Sequence, residues 1–381
     1  MTPSLCTARN FCEACSGRRF EPTGGLSHVS PDSQKTSGSF SDVAGRRRTG
    51  HQLRCASPIH SANLVTTNKT GAPHHDSNLV NAWGISFLPT SPFWVSDNGT
   101  GKTSIYDPSG NLLLVVSIPP VSGTGMGTSH TGQVANPNNK IFMISKGSAK
   151  ASALFVFATL DGTISGWNST VDMGSAVIAV NHSSGGDVYT GLAKATIETS
   201  AGAETFLYAA DAAHNKVDVF NSSFKLVDSF RDPKTPPGLA VYGVQNIGGS
   251  IFLTLGAFGS KAGAVDIYNP STKVLKRLIT NAAGGPLNDP WGLAMAPSDF
   301  GTFSDDLLVG NVGNGHINAF NPTTGAFIGS LKNNNGTVIT LPGLWALEFG
   351  GGNSANGPKN NLFFASGPDG YRLGIFGVIK P

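Results

Sequence analysis

His74, His75 and Asp76 stand together in the sequence, and acids, amides and imidazoles recur after them: Asp97 with Asn98, His130, Asp211, Gln245 with Asn246, Asn288 with Asp289, and Asn311. Carboxylate and amide oxygens suit a hard divalent cation such as calcium or magnesium. A histidine titrating near neutrality can serve as a general base or a metal ligand. On that chemistry Asp97, Asn246, Asp289 and Asn311 are candidate metal ligands, and His75 and His130 are candidate catalytic bases. Asp76, Asn81, Asp97, Asn98, Asp211, Gln245, Asn246, Asn288, Asp289 and Asn311 are candidate contacts for a small polar ligand. Each has a plainer alternative, because Asp and Asn at strand ends bond their own backbone in turns. Only convergence on one face would give them a common purpose.

Convergence depends on the elements that carry these residues. The phrase LVNAWGISFLP at 79–89 returns as LNDPWGLAMAP at 287–297, and in both places it opens a longer unit. PFWVSDNGTGKTSIYDPSGNLLLVV follows the first, and DLLVGNVGNGHINAFNPTTGAFIGSL follows soon after the second. Each unit reads as four short strands whose turns, DPSGN and NPTTGA, place Pro and Gly where tight reversals need a fixed or positive φ. The same grammar recurs at 154–171, 206–230 and 251–278, and again from LWALEFGG to the C-terminus, which makes six units. A four-stranded sheet cannot bury both faces alone, and radial stacking of such sheets is the propeller solution. The expected fold is therefore all-β: a six-bladed β-propeller of four-stranded antiparallel blades.

A ring must join its ends. The last unit lacks a fourth run, whereas SANLVTTN at 61–68 has strand composition, so Ala62 to Thr66 is expected to complete the last blade. With strands A to D in each blade, the B to C turns and the D to A connections share one face. The polar candidates fall on those segments, and the mouth of the central channel becomes the expected site. Trp83, Trp291 and Trp345 lie near the starts of inner strands and are expected to wedge between adjacent blades; Trp167, with Tyr106, Phe220, Tyr268 and Phe320 in sister units, reads as interblade core.

Composition agrees and excludes other classes. The 381 residues include 49 Gly and 23 Pro with only 13% charged, which argues against long helices. Arginines crowd the first sixty residues, and no basic stripe remains beyond them, so nucleic acid is not an expected partner. No apolar run reaches the length of a membrane-spanning helix. The sequence lacks G-x-S-x-G, H-E-x-x-H and a phosphate loop; GTGKT at 99–103 lacks the required spacer and reads as a hairpin. Six N-x-S/T sequons, beginning at Asn68, Asn98, Asn168, Asn181, Asn221 and Asn335, are no more than such a composition gives by chance.

Residues 1–58 read as a disordered leader and 59–381 as a single propeller domain. All four cysteines, Cys6, Cys12, Cys15 and Cys55, lie in the leader and read as unpaired thiols rather than a zinc site. The leader's Ser, Arg and Thr with few acids resemble an organellar transit peptide; a misassigned start is the alternative. The expected compartment is organellar or extracellular, with cytoplasmic as the alternative.

NLVNAWGISFLPTSPFWVSDNGTG, DGTISGWN, QNIGG and LNDPWGLAMAP resemble an uncharacterised family of six-bladed propellers, mostly bacterial and often exported, akin in architecture to NHL-repeat proteins. That resemblance implies a fold and no established activity. Gluconolactonase-like propellers are a more distant analogy and imply a divalent cation at the channel mouth, held by a Glu of the first blade with Asn and Asp from later ones. This sequence departs from that pattern, having no glutamate between Glu21 and Glu198. The leading expectation is a monomeric binding propeller for a small polar molecule or a divalent cation. A metal-dependent lactonase-like hydrolase is the second reading, and a scaffold for a protein partner the third.

Overall fold

Short alternating strands separated by Gly, Pro and Asn turns leave this chain one economical way to bury its apolar rows, which is to stack small sheets face to face around an axis. The computed structural model describes residues 59–121, 129–200 and 202–381. The proposed leader and its four cysteines lie outside the described residues. Blade 1 comprises Ala82–Ser86, Phe93–Asp97, Lys102–Tyr106 and Leu112–Ser117. Blade 2 comprises His130–Ala135, Phe155–Thr159, Thr163–Trp167 and Val177–Asn181, with a two-stranded hairpin, Met143–Lys146 and Ala149–Ser152, inserted after its inner strand. Blade 3 is Tyr189–Thr199, Gly202–Asp211, Lys216–Phe220 and Leu226–Phe230; blade 4 is Ala240–Ile247, Ser250–Gly256, Gly263–Asn269 and Val274–Asn281. Blade 5 is Pro290–Met295, Leu307–Asn311, Ile317–Phe320 and Phe327–Ser330. Blade 6 joins Leu344–Phe349, Leu362–Ser366 and Ile375–Lys380 to His60–Thr66 from the start of the described chain.

The expected closure is present. His60–Thr66 pairs antiparallel with Ile375–Lys380, setting Ala62 opposite Val378 and Thr66 opposite Ile375. Beyond it, His74–His75 adds a short fifth strand, parallel to the closing one, that the sequence did not suggest. Inner strands contact one another in cyclic order from blade 1 to blade 6 and back to blade 1.

Six hydrophobic clusters fill the six interfaces between neighbouring blades, and this is where the sheets gain their stability. Phe93 and Val95 meet Phe363 and Phe376 between blades 1 and 6. Trp94, Phe155 and Trp167 pack between blades 1 and 2, with Trp94 and Phe155 stacked at 4.0 Å. Burying one such aromatic contributes about 2–3 kcal/mol, so each interface rests on several rings rather than on polar bonds. Outward residues of the outer strands, such as Leu113 and Val274, stay exposed. Among the described residues no helix is long and apolar enough to cross a membrane.

Candidate functional site

Each inner strand carries the same three-residue signature where it meets the axis: Trp83-Gly84-Ile85, Thr131-Gly132-Gln133, Thr190-Gly191-Leu192, Tyr242-Gly243-Val244, Trp291-Gly292-Leu293 and Trp345-Ala346-Leu347. The small middle residue is dictated by crowding between blades. A Cβ at Gly132 would stand 2.3 Å from the Leu192 amide nitrogen, and one at Gly243 would stand 2.4 Å from the Trp291 carbonyl oxygen. Neighbouring backbones thus touch around the ring, leaving a narrow channel of ≈ 50 Å³.

One end of this channel is closed by aromatic rings. Trp83 stacks on Trp345 at 3.7 Å, and Trp291 sets its edge against both, at 5.2 and 4.7 Å. Tyr242 lies on Trp291, while the exposed rings of Phe258 and Tyr371 border the group. The three tryptophans were expected as wedges between adjacent blades; they converge instead on the axis and plug it. Trp167 does occupy an interblade core, as its spacing suggested.

The polar residues foreseen around this mouth are largely committed to holding connections in place. Asn81 accepts the Trp345 indole N–H at 2.7 Å and donates to Asn98, which donates to the His130 carbonyl. Asn81 and Asp289 hold equivalent left-handed positions, with φ of 52° at both, just before the inner strands. Asp289 accepts Ser260 Oγ and the Gly259 amide. Asn311 accepts the Asn288 amide and donates to the Pro286 carbonyl. Asp76 accepts Tyr106 Oη at 2.7 Å, Ser104 Oγ and the Asn78 amide. Asp97 is fully buried; burial raises its carboxyl well above the usual range, against a bond from Ser104 and with help from Asp76 nearby.

Several expectations fail on placement. Asn246 sits at the far end of its inner strand, donating to the Lys194 carbonyl, and Gln245 lies beside it, so neither shares a face with Asp289 and Asn311. The foreseen metal set Asp97, Asn246, Asp289 and Asn311 is therefore not assembled. His130 is fully buried and its ring nitrogens have no partner among the described residues; burial depresses it to about 3, which leaves it a weak base. His75 is exposed on the added edge strand of blade 6, away from the channel lining.

Chemistry collects at the opposite end. Three residues beyond Trp345, about 10 Å along the strand, Glu348 looks into the channel. There the channel widens into a cavity of ≈ 240 Å³ whose polar lining comes from Ser86, Gln133, Lys194, Gln245, Asn246 and Glu348. Gln245 Nε2 donates to Glu348 Oε2 at 3.2 Å. Burial nevertheless drives the Glu348 carboxyl up to about 7. Burial also lowers the Lys194 ammonium to about 8, and its Nζ donates to the Ala135 carbonyl at 2.7 Å. Gln133 gives both amide hydrogens to carbonyls, of Gly84 and Trp94, so its orientation is fixed and its buried Oε1 has no partner among the described residues. Sequence reading missed Glu348 and Lys194, although a lone acid in LWALEF and a lone base in TGLAKAT were visible as charges inside otherwise apolar inner strands.

A second cluster lies on blade 3, where sequence reading found only Asp211. Lys216 Nζ stands 2.9 Å from Asp218, 3.3 Å from Asp187 and 3.6 Å from Asp211. His214 Nδ1 is 2.6 Å from Asp211, and His182 Nδ1 is 2.8 Å from the Tyr189 hydroxyl, which donates to Asp218. The ligand atoms of His182, Asp187 and Asp218, and those of Asp187, Asp211 and His214, are close enough to share an ion. Burial works to lower the Lys216 ammonium, but its carboxylate partners outweigh that and hold it above its usual value. Lysine already supplies the cation there.

No protein-family model matches the chain. It is similar to an uncharacterized protein, R648, of Acanthamoeba polyphaga mimivirus, with 29% identity over 342 residues covering 83% of this chain and 79% of the other. A second mimivirus protein, R640, is 31% identical over 254 residues, covering 61% of this chain and 46% of its own. These relatives are viral and lend no support to a mostly bacterial family. Among solved structures, a streptogramin B lyase superposes with a TM-score of 0.45 at 13% identity, covering 84% of this chain and 97% of that one. A luciferin-regenerating enzyme gives a TM-score of 0.43 at 14% identity, covering 80% and 92%. No activity is carried over from either.

Proposed function

We propose that residues 59–381 form a rigid binding propeller that receives a small polar ligand at the end of the channel opposite the tryptophan plug. One observation carries this reading: Glu348, half-buried in the cavity wall, accepts a bond from Gln245 and has no cation within 4 Å among the described residues. A carboxylate so placed costs stability unless something answers its charge. Concave, axial and lined by convergent polar groups with shifted titration, this mouth has the properties of a ligand site. The rigid ring of touching backbones supplies preorganisation.

A metal-dependent hydrolase draws less support, because its foreseen ligands are dispersed and the blade 3 cluster contributes nothing to the channel lining. The test is a thermal-shift screen of small amines, amino acids, sugars and polyols against the wild type and Glu348→Gln. A ligand at a hundred times its Kd stabilises the folded form by about 2.7 kcal/mol. At least one compound should raise the wild-type Tm and lose that effect in the variant; a screen in which none does so rejects the reading.

A further inference from the structure

Glu348 and Lys194 present opposite charges to one cavity without pairing: no carboxylate lies within 4 Å of Lys194 and no cation within 4 Å of Glu348 among the described residues. A protein that needed only stability would bring the two together or leave both out of the wall, since burying lone charges is costly. In the same lining Gln133 has a buried side-chain oxygen without a partner among the described residues, and its amide nitrogen is locked by two backbone acceptors, so the group there can only accept. Acceptors for an ammonium and a donor for a carboxylate therefore line a cavity of ≈ 240 Å³, room for a molecule of a few heavy atoms.

Resting on the binding role above, we propose that the ligand is a small zwitterion of the amino-acid class, its ammonium held by Glu348 and Gln133 Oε1 and its carboxylate met by Lys194. The direction of both shifts agrees: burial without a counter-charge weakens the charged form of each side chain, and a zwitterion would favour the charged form of both.

The test is calorimetric titration of the full chain with glycine, β-alanine, γ-aminobutyrate and 5-aminopentanoate, beside butylamine and butyrate as single-charge probes. One zwitterion spacing should bind at least ten-fold tighter than either single-charge probe. Glu348→Gln should weaken that zwitterion and butylamine ten-fold or more while sparing butyrate, and Lys194→Met should weaken the zwitterion and butyrate while sparing butylamine. Ligand-free melting of both variants no lower than that of the wild type confirms that folding is intact; if Lys194→Met melts early, Lys194→Gln takes its place. Butylamine binding as tightly as every zwitterion, insensitive to Lys194, overturns the zwitterion and leaves a cation site. Glu348-dependent stabilisation by the screened sugars or polyols, with no zwitterion bound, likewise overturns the zwitterion and keeps the binding role. No Glu348-dependent binding by any compound overturns both.

Discussion

Trp83 and Trp345 lie face to face, 3.7 Å between ring centres and 7° from parallel, although one opens the first blade and the other opens the last. Their contact is made on the axis, and the indole N–H of Trp345 reaches Asn81 in the lead-in to blade 1. Trp345→Ala removes a fully buried ring and strands the Asn81 oxygen, so it should destabilise by about 3–5 kcal/mol. Trp345→Phe keeps much of the ring and loses the bond, for about 1–2 kcal/mol. Urea midpoints of the two variants check the order; equal losses would mean that the plug contributes through the hydrogen bond alone.

Ring closure by His60–Thr66 makes a second prediction. Removing residues 60–66 opens blade 6 and exposes the edge of Ile375–Lys380, and Val65, which is fully buried, goes with them. Scanning calorimetry should show a sharp fall in Tm, whereas deletion of residues 1–55 should leave Tm within a degree or two. Matching profiles for the two deletions would show that the terminal strand is dispensable.

Much of this fold could be read from spacing, and the reasons are local. The Trp-Gly pairs at 83–84 and 291–292 mark places where a large ring faces the axis and a neighbouring backbone crowds any Cβ, at 2.6 Å for Gly84 and 3.1 Å for Gly292. Asp107, opening the DPSGN turn, accepts the amides of Ser109 and Asn111 as its sequence implies. Blade 4 lacks the tryptophan, and there the reading slipped. Tyr242-Gly243 is its true equivalent, so Gln245 and Asn246 belong to the strand's far end, ahead of the Gly248-Gly249 turn. The site on that end was hidden for a related reason. Glu348, Lys194 and Gln133 sit on three different blades, and their meeting depends on strand register around the ring, which no local pattern encodes.

His130 is buried with neither ring nitrogen bonded among the described residues, its edge against Phe157 at 5.1 Å. Its folded-state value of about 3 lies below the ordinary 6.5, so between those values the unfolded chain binds more proton. Stability is therefore unaffected above pH 6.5 and falls as pH drops toward 3, by up to about 4 kcal/mol at the lower limit. His130→Phe should track the wild type at pH 7.5, apart from a constant offset, and overtake it progressively below pH 6. Parallel curves from pH 7.5 to 4 would show that this histidine finds a proton acceptor in the fold.

Glu348 works with the opposite sign. Its folded value of about 7 exceeds the ordinary 4.5, so the folded state binds the proton more tightly and stability falls as pH rises from 4.5 to 7, then levels. Glu348→Gln keeps the shape and removes the ionisation. Its Tm advantage over the wild type should be small at pH 4.5 and several degrees at pH 8. An advantage independent of pH would place the carboxylate in solvent rather than in the cavity wall.

Lys216 gathers Asp187, Asp211 and Asp218 around one ammonium, with His214 and His182 at the margin. The three acids repel one another, and the lysine keeps them together. Lys216→Met should cost about 3 kcal/mol, because removing one partner of a mostly buried charge group leaves the others uncompensated. The variant, however, vacates the centre of a ligand set of carboxylates and imidazoles that suits manganese or zinc. Millimolar manganese should then restore much of the lost Tm in Lys216→Met and shift the wild type far less, since there the ion must displace the ammonium. A wild type that gains as much as the variant would show that lysine and metal occupy different places on blade 3. The metal-dependent reading would then regain its footing at a site away from the channel.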